Sequence, residues 1–293
     1  MEGESRTRGR PKKFQDASAQ NTIQAVDRAI DVLEALATGG AMTLTEIANE
    51  MGQSPATVYR ILSTFQARGI TECDPLTQDW SIGASAFRIG ATFLRRTNVT
   101  ASALPAMRHL METTGETSNL GIEKSGMVIF ISQLETHESI RAFFPPGTQA
   151  PMHSSGIGKA LLSTFSEARL EAFLQEAPFE RFTPQTIVTA EGVRAEMQKI
   201  RAQGYAFDDE EKSIGMRCIA APILNFQGQA VAGISISGPS HRVTLDRVAQ
   251  IGGLVKAASA EVHRHLRRAL PGATDADLLL ANCGMNAIYA AFR

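Results

Sequence analysis

Residues 43–70, TLTEIANEMGQSPATVYRILSTFQARGI, have the pattern of two short helices joined by a tight turn. In the second helix, Ser54 is a preferred N-cap and Pro55 suits the first helical position, where a missing N–H is no loss. The apolar residues that follow have the spacing i, i+3, i+4, i+7, which predicts one buried stripe of Val58, Ile61, Leu62 and Phe65. This is the pattern of a helix-turn-helix, whose second helix lies in the major groove of DNA.

The face of the second helix that the stripe leaves free carries the candidate DNA contacts. We expect Arg60 and Tyr59 to touch phosphates or base edges, with the helix N-terminus close by. An ordinary exposed helix, or a helix pair that binds another protein, would carry similar residues. The full candidate set is Ser54, Ala56, Thr57, Tyr59, Arg60 and Ser63.

The segments around residues 43–70 complete a winged helix-turn-helix, predicted to span residues 21–83. A first helix is expected over Asn21 to Ala37, with Ala25, Ala29, Val32, Leu33 and Leu36 as its buried face, and Thr43 with Glu46 forms a capping box for the next helix. Strands at Ile70 to Cys73 and Asp79 to Ile82 would form the wing. A helix from Ala84 to Arg96 then connects two domains, so residues 84–98 are predicted to be a linker helix.

The charge balance of this region is unfavourable for binding DNA. From Asn21 to Gly83 there are three basic residues, Arg28, Arg60 and Arg68, against eight acidic ones, although phosphate neutralisation normally supplies most of the affinity for DNA. The preceding residues 1–20, expected to be a disordered basic tail, carry five bases between Arg6 and Lys13. Within that tail, Arg8-Gly9-Arg10-Pro11 is similar to the core of an AT-hook, which would place Arg8 and Arg10 in a minor groove; a solvated basic tail is the alternative.

The composition excludes several classes of protein. The chain has 293 residues and 43% hydrophobic residues, enough for two domains with real cores. No apolar stretch approaches the eighteen or so residues of a membrane span, so we expect a cytoplasmic protein with no membrane partner. The three cysteines, at positions 73, 218 and 283, have no paired spacing, so neither a metal site nor a cofactor is predicted.

From Thr100 onward helices and strands alternate, which predicts an α+β sensor-like domain over residues 99–267. The two clearest strands are Cys218 to Leu224 and Ala230 to Ser237, followed by a last helix from Leu245 to about Leu266. Residues 268–293 form a tail of uncertain structure.

Three separated motifs in this part of the chain carry a family resemblance: PMHSSGIGKA at 151–160, GYAFDDEE at 204–211 and GISISGP at 233–239. With the wing and the linker helix, they resemble the IclR family of bacterial transcription regulators over about residues 21–266. The resemblance implies a winged helix-turn-helix joined to a GAF-like mixed α/β effector-binding domain. It also implies dimers or dimers of dimers on a palindromic operator in double-stranded DNA, and a small organic acid as effector.

The resemblance places six residues around the effector: Gly156, Ile157, Asp208, Cys218, Ser235 and Ser237. The residues themselves fit a small anion. The N–H groups around Gly156, Ile157 and Gly158 stand where a loop turns into a helix and are expected to be free for a carboxylate. Ser235 and Ser237 share one face of a strand, with Ile234 and Ile236 on the other.

Each of these residues also has a purely structural interpretation. The two serines could face solvent on an edge strand, and Cys218 could be an inert buried residue. Asp208 could be a helix cap or part of a solvated acidic patch, Asp208 to Glu211, and the glycines could merely permit close packing.

Two hypotheses on function follow. The first is a DNA-binding regulator that senses a short, oxygen-rich acid. Residues 207–211 and 234–239 resemble those of family members that sense glyoxylate or pyruvate, and this resemblance implies glyoxylate or a related 2-oxo acid as the effector. The alternative is a thiol-dependent hydrolase, built from Cys218, His153 and Asp208 and fused to a helix-turn-helix interaction module. Such a site needs the base within about 3 Å of the sulfur, and the sequence does not establish that distance.

Overall fold

The computed structural model describes residues 23–97 and 99–268, which form two compact units that meet along the chain between Phe93 and Leu94. The predicted basic tail with Arg8 and Arg10, and nearly all of the predicted tail 268–293, lie outside the described residues.

The N-terminal unit is a winged helix-turn-helix. Its three strands form an antiparallel sheet in the order β1-β3-β2, and its core is built by Val32, Leu36, Ile47, Val58, Leu62 and Trp80. In chain order its elements are α1 Gln24–Gly39, β1 Met42–Thr43, α2 Leu44–Glu50, α3 Pro55–Gln66, β2 Thr71–Cys73, β3 Asp79–Ile82 and α4 Ala84–Thr97.

Local sequence chemistry sets both helix starts of the helix-turn-helix. The Thr43 N–H donates to Glu46 Oε2 at 2.8 Å while the Glu46 N–H donates to Thr43 Oγ1, which is the predicted capping box. The Ser54 hydroxyl accepts from the Thr57 N–H at 3.2 Å, and Pro55 occupies the first helical position. Both caps are confirmed.

The predicted buried face of the first helix is partly wrong. Val32 and Leu36 are buried and Leu33 is half-buried, but Ala25 is exposed and Ala29 is half-exposed, while the unpredicted Ala35 is buried. The reason is that the first turns of α1 border an open cleft against α3 instead of packing into the core.

The C-terminal unit is a six-stranded antiparallel sheet in the order β6-β5-β4-β9-β8-β7, with helices on both faces. Helices α5 and α9 cover one face and α6 to α8 cover the other. Its elements are α5 Val99–Thr114, β4 Thr117–Lys124, β5 Met127–Leu134, β6 Gln149–Pro151, a 3-10 turn Met152–Ser154, α6 Gly156–Leu162, α7 Glu167–Glu176, α8 Ala190–Gln203, β7 Ala206–Asp209, β8 Met216–Leu224, β9 Ala230–Pro239, a 3-10 turn Leu245–Arg247 and α9 Val248–Arg268.

Strand β9 lies inside the sheet, between β4 and β8. Ile234 and Ile236 point into the core formed with α5 and α9. Ser235 and Ser237 therefore point to the opposite face, where α6 packs, and both are buried. The shared face of the two serines is confirmed, and the interpretation of a solvent-facing edge strand is wrong.

Candidate effector site and DNA-binding surface

The candidate effector residues lie in adjacent rows across three strands. Asp208 on β7 is opposite Cys218 on β8, and Cys218 is opposite Ser237 on β9. In the next row, Ser235 is opposite Asn119 on β4. Because residues directly opposite each other in a sheet have side chains on the same face, the register brings these polar groups together.

Helix α6 begins directly above this row. A Cβ added at Gly156 would come within 2.6 Å of Cys218 Sγ, so only glycine lets α6 approach β8 this closely. The neighbouring Ile157 is buried against β9, where a Cβ at Gly233 would lie 2.7 Å from its Cγ2. The structural interpretation of the glycines, that they permit close packing, therefore holds.

One predicted role of this turn is wrong. The Gly158 N–H was expected to be free for a carboxylate, but it donates to Ser155 Oγ at 3.1 Å, because Ser155 is the N-cap of α6. Capping satisfies the amide internally and removes it from the candidate anion contacts.

Buried side-chain polar groups surround the row. Asn119 Nδ2 donates to Ser237 Oγ at 3.2 Å, and Asn119 Oδ1 accepts from Gln133 Nε2 at 3.0 Å. In contrast, neither Ser235 Oγ nor Ser154 Oγ forms a hydrogen bond of good geometry with a described residue, although both hydroxyls are buried and Ser235 lies beside the Cys218 thiol. A buried hydroxyl without a partner is unfavourable, so these two are available to a bound ligand.

Asp208 is a buried acid, not part of a solvated patch. It is 7% exposed, and its Oδ1 accepts from the Glu211 N–H at 2.8 Å. Burial raises the pKa of Asp208 to about 7, against the opposing effect of the Lys159 ammonium. The acidic-patch interpretation is wrong for Asp208 and Glu211, whereas Asp209 and Glu210 are partly exposed near Arg217.

The site also contains a buried lysine that is not among the predicted residues. Lys159 on α6 forms ion pairs with Glu211 and, at 3.2 Å, with Glu196 of α8, and it donates to the Phe207 carbonyl. Burial and the Lys159 charge pull the pKa of Glu211 in opposite directions, and burial prevails and raises it. A lysine within the otherwise apolar run of residues 156–162 was the available signal, because a buried ammonium requires acidic partners.

Cys218 and His153 do not make a thiol hydrolase. Burial, with the Asp208 carboxylate beside it, raises the pKa of Cys218 to about 11, although the Ser237 and Ser235 hydroxyls oppose the shift, so the thiol stays protonated. The His153 Nε2 is 3.0 Å from the Glu180 carbonyl oxygen, and the ring packs edge-on against Phe179. Within the described part of the chain, no group of three or more His, Cys, Asp or Glu side chains is arranged to hold a metal ion.

The exposed face of α3 holds the candidate DNA contacts. Tyr59 is 54% exposed and its ring meets Trp80 edge-on at 6.3 Å, while Ser54 Oγ and Thr57 Oγ1 are 2.9 Å apart. Ser54, Ala56 and Arg60 are exposed, and Thr57 and Ser63 are half-buried.

Arg28 joins this surface and was not predicted as a contact. Arg28 on α1 lines an open cleft of about 340 Å³ together with Arg60, Thr57 and Thr64 of α3. No described acid forms an ion pair with either arginine. In the two described segments, no helix combines the length and the apolar composition needed to cross a membrane.

Comparison with known proteins assigns both units. Residues 25–75 match the IclR helix-turn-helix domain, and residues 91–264 match the C-terminal domain of the bacterial transcriptional regulator IclR. The chain is 46% identical over 265 residues to the HTH-type transcriptional regulator BhcR of Paracoccus denitrificans, covering 89% of this chain and 95% of that protein. It is 36% identical over 258 residues to the transcriptional repressor IclR of Escherichia coli, covering 87% and 94%.

Solved structures agree with the predicted fold class. The crystal structure of Thermotoga maritima IclR has a TM-score of 0.68 at 27% identity, covering 83% of this chain and 98% of that one. An IclR transcriptional regulator from Alicyclobacillus acidocaldarius has a TM-score of 0.74 at 25% identity, covering 84% and 99%. The curated relatives are named as regulators and repressors, not enzymes. The chain therefore belongs to the IclR family of bacterial transcriptional regulators, with a helix-turn-helix domain for DNA and a C-terminal domain for an effector.

Proposed function

We propose that this regulator binds a palindromic operator as a homodimer or dimer of dimers, and that glyoxylate or a related 2-oxo acid in the C-terminal domain controls operator affinity. The observation that carries the effector proposal is the buried Ser235 hydroxyl, which no described residue satisfies. It stands in a site whose other polar groups, Ser237 and Asn119, already have fixed hydrogen bonds.

The proposed ligand contacts are Gly156, Ile157, Asp208, Cys218, Ser235 and Ser237. The close approach of α6 to β8 at Gly156 favours a small ligand over a bulky one. The serine hydroxyls and the thiol can donate to ligand oxygens, and Ile157 gives one apolar wall. A short acid rich in oxygen atoms matches this set better than an aromatic acid.

One relative supports a link to small carboxylic acids. The chain is 36% identical over 258 residues to a Salmonella typhimurium protein named the acetate operon repressor, covering 87% of this chain and 94% of that protein. The name ties that protein to an operon for a two-carbon acid. Acetate is therefore the natural comparison ligand for glyoxylate.

On the DNA side, we propose that α3 enters the major groove with Ser54, Ala56, Thr57, Tyr59, Arg60 and Ser63 towards the DNA. Arg28 would add a phosphate contact beside Arg60, because both line the same cleft and neither forms an ion pair with a described acid. Arg8 and Arg10 of the N-terminal segment would contact a minor groove.

Control of DNA binding by the acid follows from linkage. An acid shifts operator affinity only as far as it binds the DNA-competent and the DNA-incompetent forms differently. Typical coupling free energies are about 1–3 kcal/mol, which corresponds to about 5- to 150-fold in affinity.

A fluorescence anisotropy titration of the full chain against DNA from upstream of the neighbouring operon tests the proposal. Glyoxylate or pyruvate should change operator affinity by at least about fivefold, and acetate, which lacks the 2-oxo group, should act more weakly. Specific DNA binding that no acid alters would refute the effector. Absence of specific binding, or unchanged affinity and salt dependence in Arg60→Ala, would refute the DNA contacts.

A further inference from the structure

The proposed anion site contains a buried acid. Asp208 stands in one row with Cys218 and Ser237, and only 7% of it is exposed. A ligand carboxylate placed against this row would meet an ionised Asp208 in a region that water does not screen. Two like charges at such distances repel strongly in a low-dielectric environment.

The charged groups around Asp208 do not offset this repulsion. Lys159 of α6 is the buried cation, and it is already held by Glu211 and by Glu196 of α8. Three carboxylates therefore surround one ammonium before any ligand arrives. Lys212 is the first cation after Asp208 in the sequence, and its Nζ lies 3.2 Å from the centre of the Phe182 ring.

The remaining titratable groups near Asp208 do not relieve the repulsion between its carboxylate and the ligand carboxylate near neutral pH. The Cys218 thiol on β8 is already protonated, because its pKa is raised to about 11. Burial lowers the pKa of His153, in the turn before α6, so its imidazole is neutral at neutral pH. Asp209, next on β7, forms its ion pair with Arg217 at 2.7 Å.

Resting on the proposed effector function, we propose that Asp208 takes up one proton when the anionic effector binds, so that the acid and a proton enter the site together. The proton comes from the solvent and converts the Asp208 carboxylate to a carboxylic acid. Its O–H then becomes a donor, and donates to an oxygen of the ligand. The step leaves the charge of the site unchanged, since one negative charge arrives and one is neutralised.

The properties of Asp208 in the free site favour this proton uptake. Burial raises the pKa of Asp208 to about 7, so the proton is gained at little free-energy cost near neutral pH. The negative charge of the ligand raises that pKa further. A 2-oxo acid stays ionised over the same range, because its own carboxyl titrates several pH units lower.

The linkage has a defined direction. Below a pH of about 7, Asp208 is already protonated in the free site, so effector affinity does not depend on pH. Above a pH of about 7, effector affinity decreases with pH, and the decrease approaches tenfold for each pH unit. Over the same range, the number of protons taken up per site on binding rises from about one-half towards one.

Isothermal titration calorimetry of the full chain with sodium glyoxylate, at pH 6, 7, 8 and 8.5, tests this. At each pH, two buffers with different ionisation enthalpies report the number of protons taken up. We expect uptake close to one proton per site at pH 8, and a Kd that rises with pH only above about 7. Asp208→Asn should bind glyoxylate with no proton uptake and no pH dependence, because the amide supplies a donor without titrating.

Asp209→Asn is the matched control, because it removes the neighbouring acid on the same strand and should retain the wild-type pH dependence. Glyoxylate binding to the wild-type chain with no buffer effect and no pH dependence would overturn the proton uptake while leaving the effector proposal intact. The same pH dependence in Asp208→Asn as in the wild type would overturn the assignment to Asp208. Absence of binding at every pH would overturn the acid effector and the proton uptake together.

Discussion

Two serines on the same strand provide a test that separates ligand binding from folding. Ser235 and Ser237 share one face of β9 and are both buried. Ser237 Oγ accepts a hydrogen bond from Asn119 at 3.2 Å, whereas Ser235 Oγ lies beside the Cys218 thiol and forms no hydrogen bond of good geometry with a described residue. Truncation of each to alanine should therefore have opposite effects on stability.

The expected magnitudes follow from these contacts. Ser235→Ala removes an unsatisfied hydroxyl, whose burial costs about 1–3 kcal/mol, so the free domain should be as stable as the wild type or more stable by about 1 kcal/mol. Ser237→Ala leaves the Asn119 amide without its acceptor and should lower the free energy of unfolding by about 1–3 kcal/mol. For a domain of this size, 1 kcal/mol corresponds to about 2–4 °C in Tm.

Effector binding should fall in Ser235→Ala despite the retained stability. A hydrogen bond to a charged ligand contributes about 1.5–3 kcal/mol, which corresponds to about 10- to 150-fold in Kd. Thermal melts without ligand and calorimetry with glyoxylate measure the two effects. A Tm of Ser235→Ala as low as that of Ser237→Ala would show that the Ser235 hydroxyl is satisfied in the free domain. Glyoxylate binding by Ser235→Ala as tight as in the wild type would show that Ser235 does not contact the ligand.

Three further predictions concern the DNA surface and the buried charges. Arg28→Ala and Arg60→Ala should each reduce the slope of log Kd against log salt concentration by about 1. Deletion of residues 1–20 should reduce this slope by more. Unchanged slopes in anisotropy titrations would exclude phosphate contacts. Lys159→Met should destabilise the C-terminal domain by about 3–5 kcal/mol, because the buried Glu211 and the half-buried Glu196 lose their shared cation; an unaltered urea midpoint would contradict this. Asp208 has a folded-state pKa of about 7, above its ordinary value, so the folded state holds the extra proton. Stability should therefore fall as pH rises from about 4 to about 7, by up to about 1.4 kcal/mol per pH unit, and Asp208→Asn should remove this component.

Local chemistry made the DNA-binding unit largely predictable. The caps at Thr43 and Ser54 depend on residues three positions apart, and the apolar stripe of α3 depends on spacing alone. The exposed start of α1 was mispredicted, because helical periodicity does not reveal where the partner helices end. The short strands β1, β6 and β7 were missed, because two to four residues carry little pattern and pair only through distant neighbours.

For the candidate effector site, sequence spacing predicted which residues share a strand face, but not how the strands and α6 bring them together. A period of two put Ser235 and Ser237 on one face, yet only the strand order shows that β9 is internal. Asn119 and Glu211 reach the site through cross-strand register and a loop, which are long-range features that sequence spacing does not encode. Lys159 was visible as a lysine in an apolar helix, but its acidic partners lie 37 and 52 residues away along the chain.

We propose that an acid bound in the C-terminal domain changes how tightly the N-terminal domain binds DNA. The most direct test of this proposal is the operator Kd of the full chain, measured by anisotropy with and without saturating glyoxylate, in the wild type and in Ser235→Ala. We predict that saturating glyoxylate changes the operator Kd of the wild type by at least about fivefold. In Ser235→Ala, the same change in operator Kd should require a glyoxylate concentration higher by about 10- to 150-fold. An operator Kd that glyoxylate leaves unchanged in the wild type would contradict control of DNA binding by this acid. A shift at the same glyoxylate concentration in both proteins would contradict a ligand contact at Ser235.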